Sequence, residues 1–465
     1  MRRLLAIVAV LVPLALLAAG TTAGTTHAAR AGAAASGPTP RTPIRHFLML
    51  MQEGHSFDNY FGRYPGADGL PGDACLPADP DRRGGRCVRP FHLGDRSASL
   101  PHSARTFRNQ LNGGRMDGFV RALSRIGAEQ PQAPMGFYDA RDIPFYWNLA
   151  DRYVLFDRFF AASSGGSVSN HMFWLTGTPG DRRYPDRIPP GGFRSAGAPA
   201  TIFDRLQERG LSWKVYIQDY DPGVTFRTAA RPGVRSTQAT WMPLLSYPRY
   251  VDDPDLRRHF VDLSELFADA ARGTLPAVAY VVPASSSEHP PGRVESGARL
   301  IRRIVGSLLL SRLWKSSAFM WTYDNWGGWY DHVRPPRVDR DGYGFRVPAL
   351  LVSAWARRGH VDHTTLDVTS ALRFIQYNWN LRPLASRDAK ATPFLGAFDF
   401  AAGPRRAVIP PIDRAGARPV RARRAVIYAG YGGAALLGLA VIAAAAAGTR
   451  RRRPRPAART RGAHR

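Results

Sequence analysis

Residues 45–62 read RHFLMLMQEGHSFDNYFG: an apolar run at 47–51 that ends on Glu53, His55, Ser56, Asp58 and Asn59. The run has the length of a buried strand. A strand that feeds a polar turn is how open α/β sheets place chemistry, because ligands bind outside the carboxyl ends of the strands. Residues 318–332 repeat the design: AFMWTY, then Asp324, Asn325, two glycines, Asp331 and His332. Two strand ends that carry carboxylates can converge on one metal ion.

Outward from these two stretches, further apolar runs at 213–217, 277–282 and 347–352 read as strands. Helical spacing of apolar residues marks 202–209, 263–271, 299–314 and 369–379. Residues 143–160 read as a helix leading into a strand. The small-residue stretch AASSGGSVSNH at 161–171 reads as a turn that opens a helix at 170–175. Strands alternating with helices predict an α/β fold, a mostly parallel sheet with helices on both faces.

The chain has 465 residues, room for one large α/β domain or two smaller ones. Its net charge of +28 is concentrated at one end: residues 401–465 hold fifteen arginines against a single acidic residue, Asp413. That points to a tail effect and away from a nucleic-acid-binding face on the body.

Both ends resemble membrane-targeting devices. Met1-Arg2-Arg3 precedes an apolar run and then small residues, the pattern of a signal peptide over 1–29. Residues 30–42 read as a linker, 43–400 as the catalytic domain and 401–424 as an Arg/Pro linker. Residues 425–449 are 25 uncharged residues, enough to span a bilayer, and 450–465 form a basic tail. A buried core helix is the other reading of 425–449; the arginines on both flanks weigh against it. Arginine counts do not separate the two sides, so the signal peptide sets the orientation. The expectation is a single-pass protein of the cytoplasmic membrane, catalytic domain outside, tail in the cytoplasm.

Cys75 and Cys87 are the only cysteines. In an exported chain they suggest a local disulfide; two free thiols are the alternative. No histidine lies at ligand spacing, which argues against a metal there.

Five polar clusters sit at strand ends or helix starts: 53–59, His102, 167–171, 288–289 and 324–332. Singly, each has a bland structural reading as a turn or a satisfied core histidine. Jointly they suit phosphoester hydrolysis. A hard divalent cation wants the oxygens of Glu53, Asp324 and Asn325. Ser167 at a helix N-terminus would face a phosphate where backbone N–H groups favour one. The metal would lower the hydroxyl's pKa, and histidines would bind phosphoryl oxygens and protonate the leaving group.

QEGHSFDNYFGRYPGADG at 52–69 resembles the opening motif of the bacterial phospholipase C and acid phosphatase type phosphoesterases, and YDNWGGWYDHVRPP at 323–336 resembles a second. SSSEHPP, RVPALLVS and GGSVSNH are similar to three shorter strings of that family. The resemblance covers about residues 43–385. It implies an alkaline-phosphatase-like fold and one active-site divalent metal. It carries Glu53, Asp324 and Ser167 over as metal ligands, with Ser167 also the nucleophile, and makes His102, His289 and His332 phosphate-contacting or supporting groups. Three departures stand out. Gly54 replaces a ligand Asn, Asn325 replaces an acidic ligand, and residues 367–370 (DVTS) lack a histidine. Weaker metal binding is expected. The implied function is an exported, membrane-tethered phosphoesterase, a phospholipase C working through a phosphoseryl intermediate on phospholipid. A phosphomonoesterase (acid phosphatase) and a surface binding protein with little turnover are the alternatives.

Overall fold

A computed structural model describes residues 38–414, apart from 83, 85, 86, 95, 184–186, 190, 195–197, 235 and 236. The segments read as signal peptide, transmembrane helix and basic tail lie outside the described residues, as do most of the 30–42 linker and residues 415–424. Among the described residues no helix is long and apolar enough to cross a membrane.

The core is an eight-stranded sheet. Its strands are β1 (His46–Gln52), β2 (Val154–Phe156), β3 (Trp213–Ile217), β4 (Phe260–Asp262), β5 (Val278–Val282), β6 (Ser317–Tyr323), β7 (Ala349–Ser353) and β8 (His360–Asp362). They lie in the order β8-β2-β7-β6-β1-β5-β3-β4. All neighbours pair in parallel except β7, which runs against both β6 and β2. The central strands β1, β5 and β6 are buried almost throughout, which is why they read as unbroken apolar runs.

The helices used below are α1 (Phe57–Phe61), α2 (Ala104–Leu111), α3 (Pro144–Ala150), α4 (Ser167–Thr176), α5 (Val294–Leu310) and α6 (Val368–Trp379). Both faces of the sheet are covered. Met49 lies level with Tyr280, and Leu50 with Trp321, so the two pairs point to opposite faces. On the first face Trp174 of α4 stacks on Tyr280 at 4.1 Å, and Phe374 of α6 packs on Phe47 at 5.0 Å. On the second, Tyr146 of α3 meets Trp321 at 4.4 Å. The helix expected at 299–314 starts earlier and ends at Leu310, followed by a short 3₁₀ turn at Trp314–Ser316.

A second apolar cluster lies outside the main core. Leu70, Phe107, Phe119 and Met135 close over Trp326 and Phe345. Cys75 and Cys87 are joined by a disulfide.

Residues 401–414, the first part of the expected Arg/Pro linker, lie on the body. Arg405 donates its N–H to the Ala354 carbonyl at 2.8 Å and accepts from Trp314 Nε1 at 3.0 Å. The Asn148 amide donates to the carbonyls of Pro411 and Asp413 at 2.9 and 3.1 Å. Ala354 follows the end of β7, level with the start of β6. This segment therefore runs along the sheet end opposite Asp324, about 20 Å away by strand rise. Asn148, Trp314 and Arg405 give the backbone of this segment defined partners.

Candidate active site

Parallel pairing in register, His46 with Ser317 through Gln52 with Tyr323, sets the next residues, Glu53 and Asp324, side by side at one end of the sheet. The Asp324 N–H donates to the Gln52 carbonyl and the Gly54 N–H to Asp324 Oδ1, each at 2.9 Å. The two turns then meet backbone to backbone. Gly327 has φ +61°, and a Cβ there would fall 1.9 Å from the Gly54 oxygen, so that contact requires glycine.

Ser167 comes from the other direction. The turn before it is fixed by Asn170, whose Oδ1 accepts the Ser163 N–H at 2.9 Å and whose Nδ2 donates to the Gly165 and Gly166 carbonyls at 3.1 Å. Ser167 is the first residue of α4, where N–H groups lack acceptors within the helix and the dipole favours an anion. Ser167 and His171 are one turn apart and share a face. Both reach Glu53: Ser167 Oγ donates to Oε2 at 3.1 Å, and His171 Nε2 lies 2.7 Å from Oε1. One turn on, Trp174 Nε1 contacts the Met49 sulfur at 2.9 Å, so a single helix face lies along β1.

Asn325 completes the group with its nitrogen. Its Oδ1 accepts the Gly327 N–H at 2.8 Å. A backbone N–H can only donate, so Nδ2 is the atom turned toward Asp324 Oδ2 at 2.5 Å and Ser167 Oγ at 3.4 Å. In this arrangement the Asn325 amide turns its nitrogen, not the carbonyl oxygen expected as a metal ligand, toward Asp324 and Ser167.

Glu53, His171, Asp324 and Asn325 are buried, while Ser167 is half-exposed. Burial and the neighbouring Asp324 carboxylate hold the Glu53 carboxyl well above its usual range. Burial lowers His171 to about 4, against the opposing pull of Asp324. Two carboxylates and an imidazole packed away from water in this way suit a bound cation. Their ligand atoms lie within 4.8 Å of one another. The residues present therefore fit a divalent metal.

The three predicted histidines separate into two places. His102 precedes Ser103, the residue that caps α2, and its ring packs edge-on against His289 with centroids 5.6 Å apart. His102 Nδ1 donates to the Leu100 carbonyl at 2.8 Å, which leaves Nε2 for a ligand. The clamp that holds α2 here is Gln110, which accepts from Trp326 Nε1 at 2.7 Å and donates to the Gly328 carbonyl at 2.9 Å. His289 sits next to Pro290, the residue that packs on Gly54. His332 is elsewhere. Its Nδ1 lies 2.7 Å from Asp58 Oδ2 and its Nε2 3.2 Å from Asp68 Oδ1, in an ion-pair cluster around the fully buried Arg346. No contact among the described residues joins His332 to Ser167.

Two residues of this region had no role assigned from sequence. His171 was legible in principle, four positions after Ser167. Glu288 is fully buried and accepts hydrogen bonds from the hydroxyls of Tyr60, Tyr146 and Tyr323, with distances of 2.5 Å from Tyr60 and 2.6 Å from Tyr323. Three tyrosines from three separate elements carry no common sequence signal. Glu288 anchors the turn that carries His289.

A family profile described as "Phosphoesterase family" matches residues 44–382. Phospholipase C B of Mycobacterium tuberculosis is 29% identical over 434 aligned residues, covering 79% of this chain and 80% of that protein. A non-hemolytic phospholipase C of Burkholderia pseudomallei is 27% identical, over 76% of this chain and 57% of that one. Among solved structures, a protein in the alkaline phosphatase superfamily from Vibrio parahaemolyticus matches with a TM-score of 0.37 and 11% identity, over 73% of this chain and 68% of the other.

Proposed function

We propose, from the premise that this chain belongs to the Phosphoesterase family and is a phosphoric ester hydrolase, that it is a phospholipase C acting through a phosphoseryl intermediate on Ser167. The observation that carries the mechanism is the position of the Ser167 hydroxyl: first residue of α4, bonded to Glu53 and 3.4 Å from the Asn325 amide.

The roles follow from what each group can do. The Ser167 hydroxyl passes its proton to Glu53 Oε2, the carboxylate oxygen it donates to at 3.1 Å, and its oxygen attacks phosphorus; the P–O bond to the diacylglycerol leaving group breaks as the new bond forms. Glu53, Asp324 and the Ser167 oxygen are the residues that would hold a divalent ion. Such an ion, when bound, supplies charge that lowers the hydroxyl's pKa and offsets charge on the phosphoryl oxygens. The free N–H groups at the start of α4 and the Asn325 amide nitrogen donate to those oxygens. His102 and His289 bind the phosphoryl group from the other side, and one of them protonates the leaving oxygen. Water then attacks phosphorus, giving a proton to the histidine that protonated the leaving oxygen, and the P–Oγ bond breaks as the proton held by Glu53 returns to Ser167.

The patterns at 1–29 and 425–449 support export and attachment to the outer face of the cytoplasmic membrane, next to phospholipid head groups. The substrate assignment is tested by comparing phosphatidylcholine with p-nitrophenyl phosphate, with and without chelator. Chelator-sensitive release of phosphocholine with little p-nitrophenol supports the diesterase; the opposite preference makes the enzyme a phosphomonoesterase.

A further inference from the structure

We propose that His171 is a metal ligand, and that with Glu53, Asp324 and Ser167 it builds a mixed nitrogen–oxygen site that selects Zn²⁺ over Mg²⁺ and Ca²⁺. This rests on the metal-dependent reading above and concerns which metal the site takes.

Two oxygen donors are missing. Position 54 is glycine and offers no side chain. Asn325 turns its nitrogen, not its oxygen, toward Asp324 and Ser167, because the oxygen accepts the Gly327 N–H at 2.8 Å on the other side. What remains from the protein is two carboxylates and one hydroxyl, well short of the six to eight oxygens that Ca²⁺ takes. The imidazole stands in the gap: His171 Nε2 lies 2.7 Å from Glu53 Oε1, and its ligand atom groups with those of Glu53 and Asp324 within 4.8 Å. The helix dictates this placement, since His171 follows Ser167 by one turn on the face that meets β1. Four donors with one nitrogen fit the coordination number and ligand type of Zn²⁺, whereas Mg²⁺ and Ca²⁺ take oxygen.

The environment also sizes the effect. A metal-bound histidine usually donates its other ring N–H to a partner that strengthens it. Nδ1 of His171 is buried without a hydrogen-bond partner among the described residues. His171 is therefore a weaker ligand than a fully supported one, and we place the cost of its loss on the scale of removing a supporting partner from a metal ligand, about 10- to 100-fold in affinity.

The test is calorimetric titration of the metal-free full chain with Zn²⁺, Mg²⁺ and Ca²⁺, for wild type, His171→Asn and His171→Ala. X-ray absorption of the zinc-loaded wild type is recorded alongside. The expected result is one tightly bound Zn²⁺ with imidazole scattering in its absorption spectrum. Both variants should bind Zn²⁺ about 10- to 100-fold more weakly, with Ca²⁺ affinity unchanged. Zinc affinity that is the same in either folded variant, or a wild-type spectrum without imidazole, overturns the proposal; the spectrum decides even if neither variant folds. Hydrolysis of phosphatidylcholine is assayed on the same samples. A His171-dependent zinc site without hydrolysis removes the functional reading and keeps this one; hydrolysis with a zinc site blind to His171 does the reverse.

Discussion

The Asn325 amide oxygen accepts the Gly327 N–H at 2.8 Å, and that bond turns the amide nitrogen toward Ser167. Asn325→Asp keeps the acceptor for Gly327 and sets a second carboxylate oxygen against Asp324. The metal-free variant should lose about 1–3 kcal/mol of stability, the range for an unmatched buried polar group. Its affinity for Mg²⁺ and Ca²⁺ should rise by about tenfold or more, because a hard donor is added. Melting curves in chelator and metal titrations check both effects; no change in either would mean that the amide oxygen already faces the site. Adding the family's Asn at position 54 is a costlier repair. Gly54 has φ +70°, and a Cβ there meets Pro290 Cδ at 3.1 Å.

Glu288 makes stability depend on pH. Burial pushes its carboxyl up to about 7 from 4.5, although the three tyrosine hydrogen bonds pull the other way. The unfolded chain therefore releases this proton first as pH rises. The contribution of Glu288 to stability is full below pH 4.5 and is lost as pH rises through 7. The loss is on the order of 3 kcal/mol. Glu288→Gln should remove it, so the stability difference, wild type minus variant, should fall by that amount between pH 4.5 and 8. Denaturant unfolding across this range measures it, and a difference that stays flat contradicts the assignment.

Arg346 is fully buried, with Nε 2.8 Å from Asp331 Oδ1 and Nη2 3.0 Å from Asp58 Oδ1. Arg346→Met leaves two carboxylates facing one another and should cost about 3–5 kcal/mol. His332 braces the same cluster from its rim. His332→Asn should lower the melting temperature while kcat/KM, measured well below it, stays within about threefold of wild type. A large fall in kcat/KM with unchanged melting would instead place His332 on the phosphoryl group.

The segment 401–414 gives a pair of truncations with different outcomes. A chain ending at Arg414 should melt like the parent. A chain ending at Phe400 takes away both acceptors of the Asn148 amide and the acceptor of Trp314 Nε1. It should be less stable by about 2 kcal/mol. On a water-soluble phosphodiester the Arg414 truncation should equal the full chain; on phospholipid in liposomes it should be slower, since it lacks the proposed tether. Equal lipid hydrolysis by both would limit residues 415–465 to some other role.

The sheet was legible where strands are long and buried on both faces: β1, β5 and β6 announce themselves as apolar runs, and the polar groups after β1 and β6 converge as their pattern implied. The three-residue strands β2, β4 and β8 are too short to carry a period. The reversal of β7 was hidden in a connection rather than in the strand. No helix intervenes between Tyr323 and Ala349, and a parallel return needs a crossover. At the site, Glu53, Asp324 and Ser167 were readable because each closes or opens an element. The side on which Asn325 presents its nitrogen was not, since it depends on one backbone N–H two residues away. The setting of His332 was not readable either, because its motif is local in sequence while its partners, Asp58 and Asp68, arrive from another segment.

The central claim is that the Ser167 oxygen carries the phosphoryl group. The direct measurement is rapid acid quench of the enzyme turning over a phosphodiester, followed by peptide mass spectrometry. The account predicts one phosphoryl group on the peptide containing Ser167, absent from Ser167→Ala. That variant should keep its fold but lose turnover by ~10³-fold or more. A Ser167→Ala enzyme with ordinary turnover, or a phosphoryl group trapped on another residue, would contradict it.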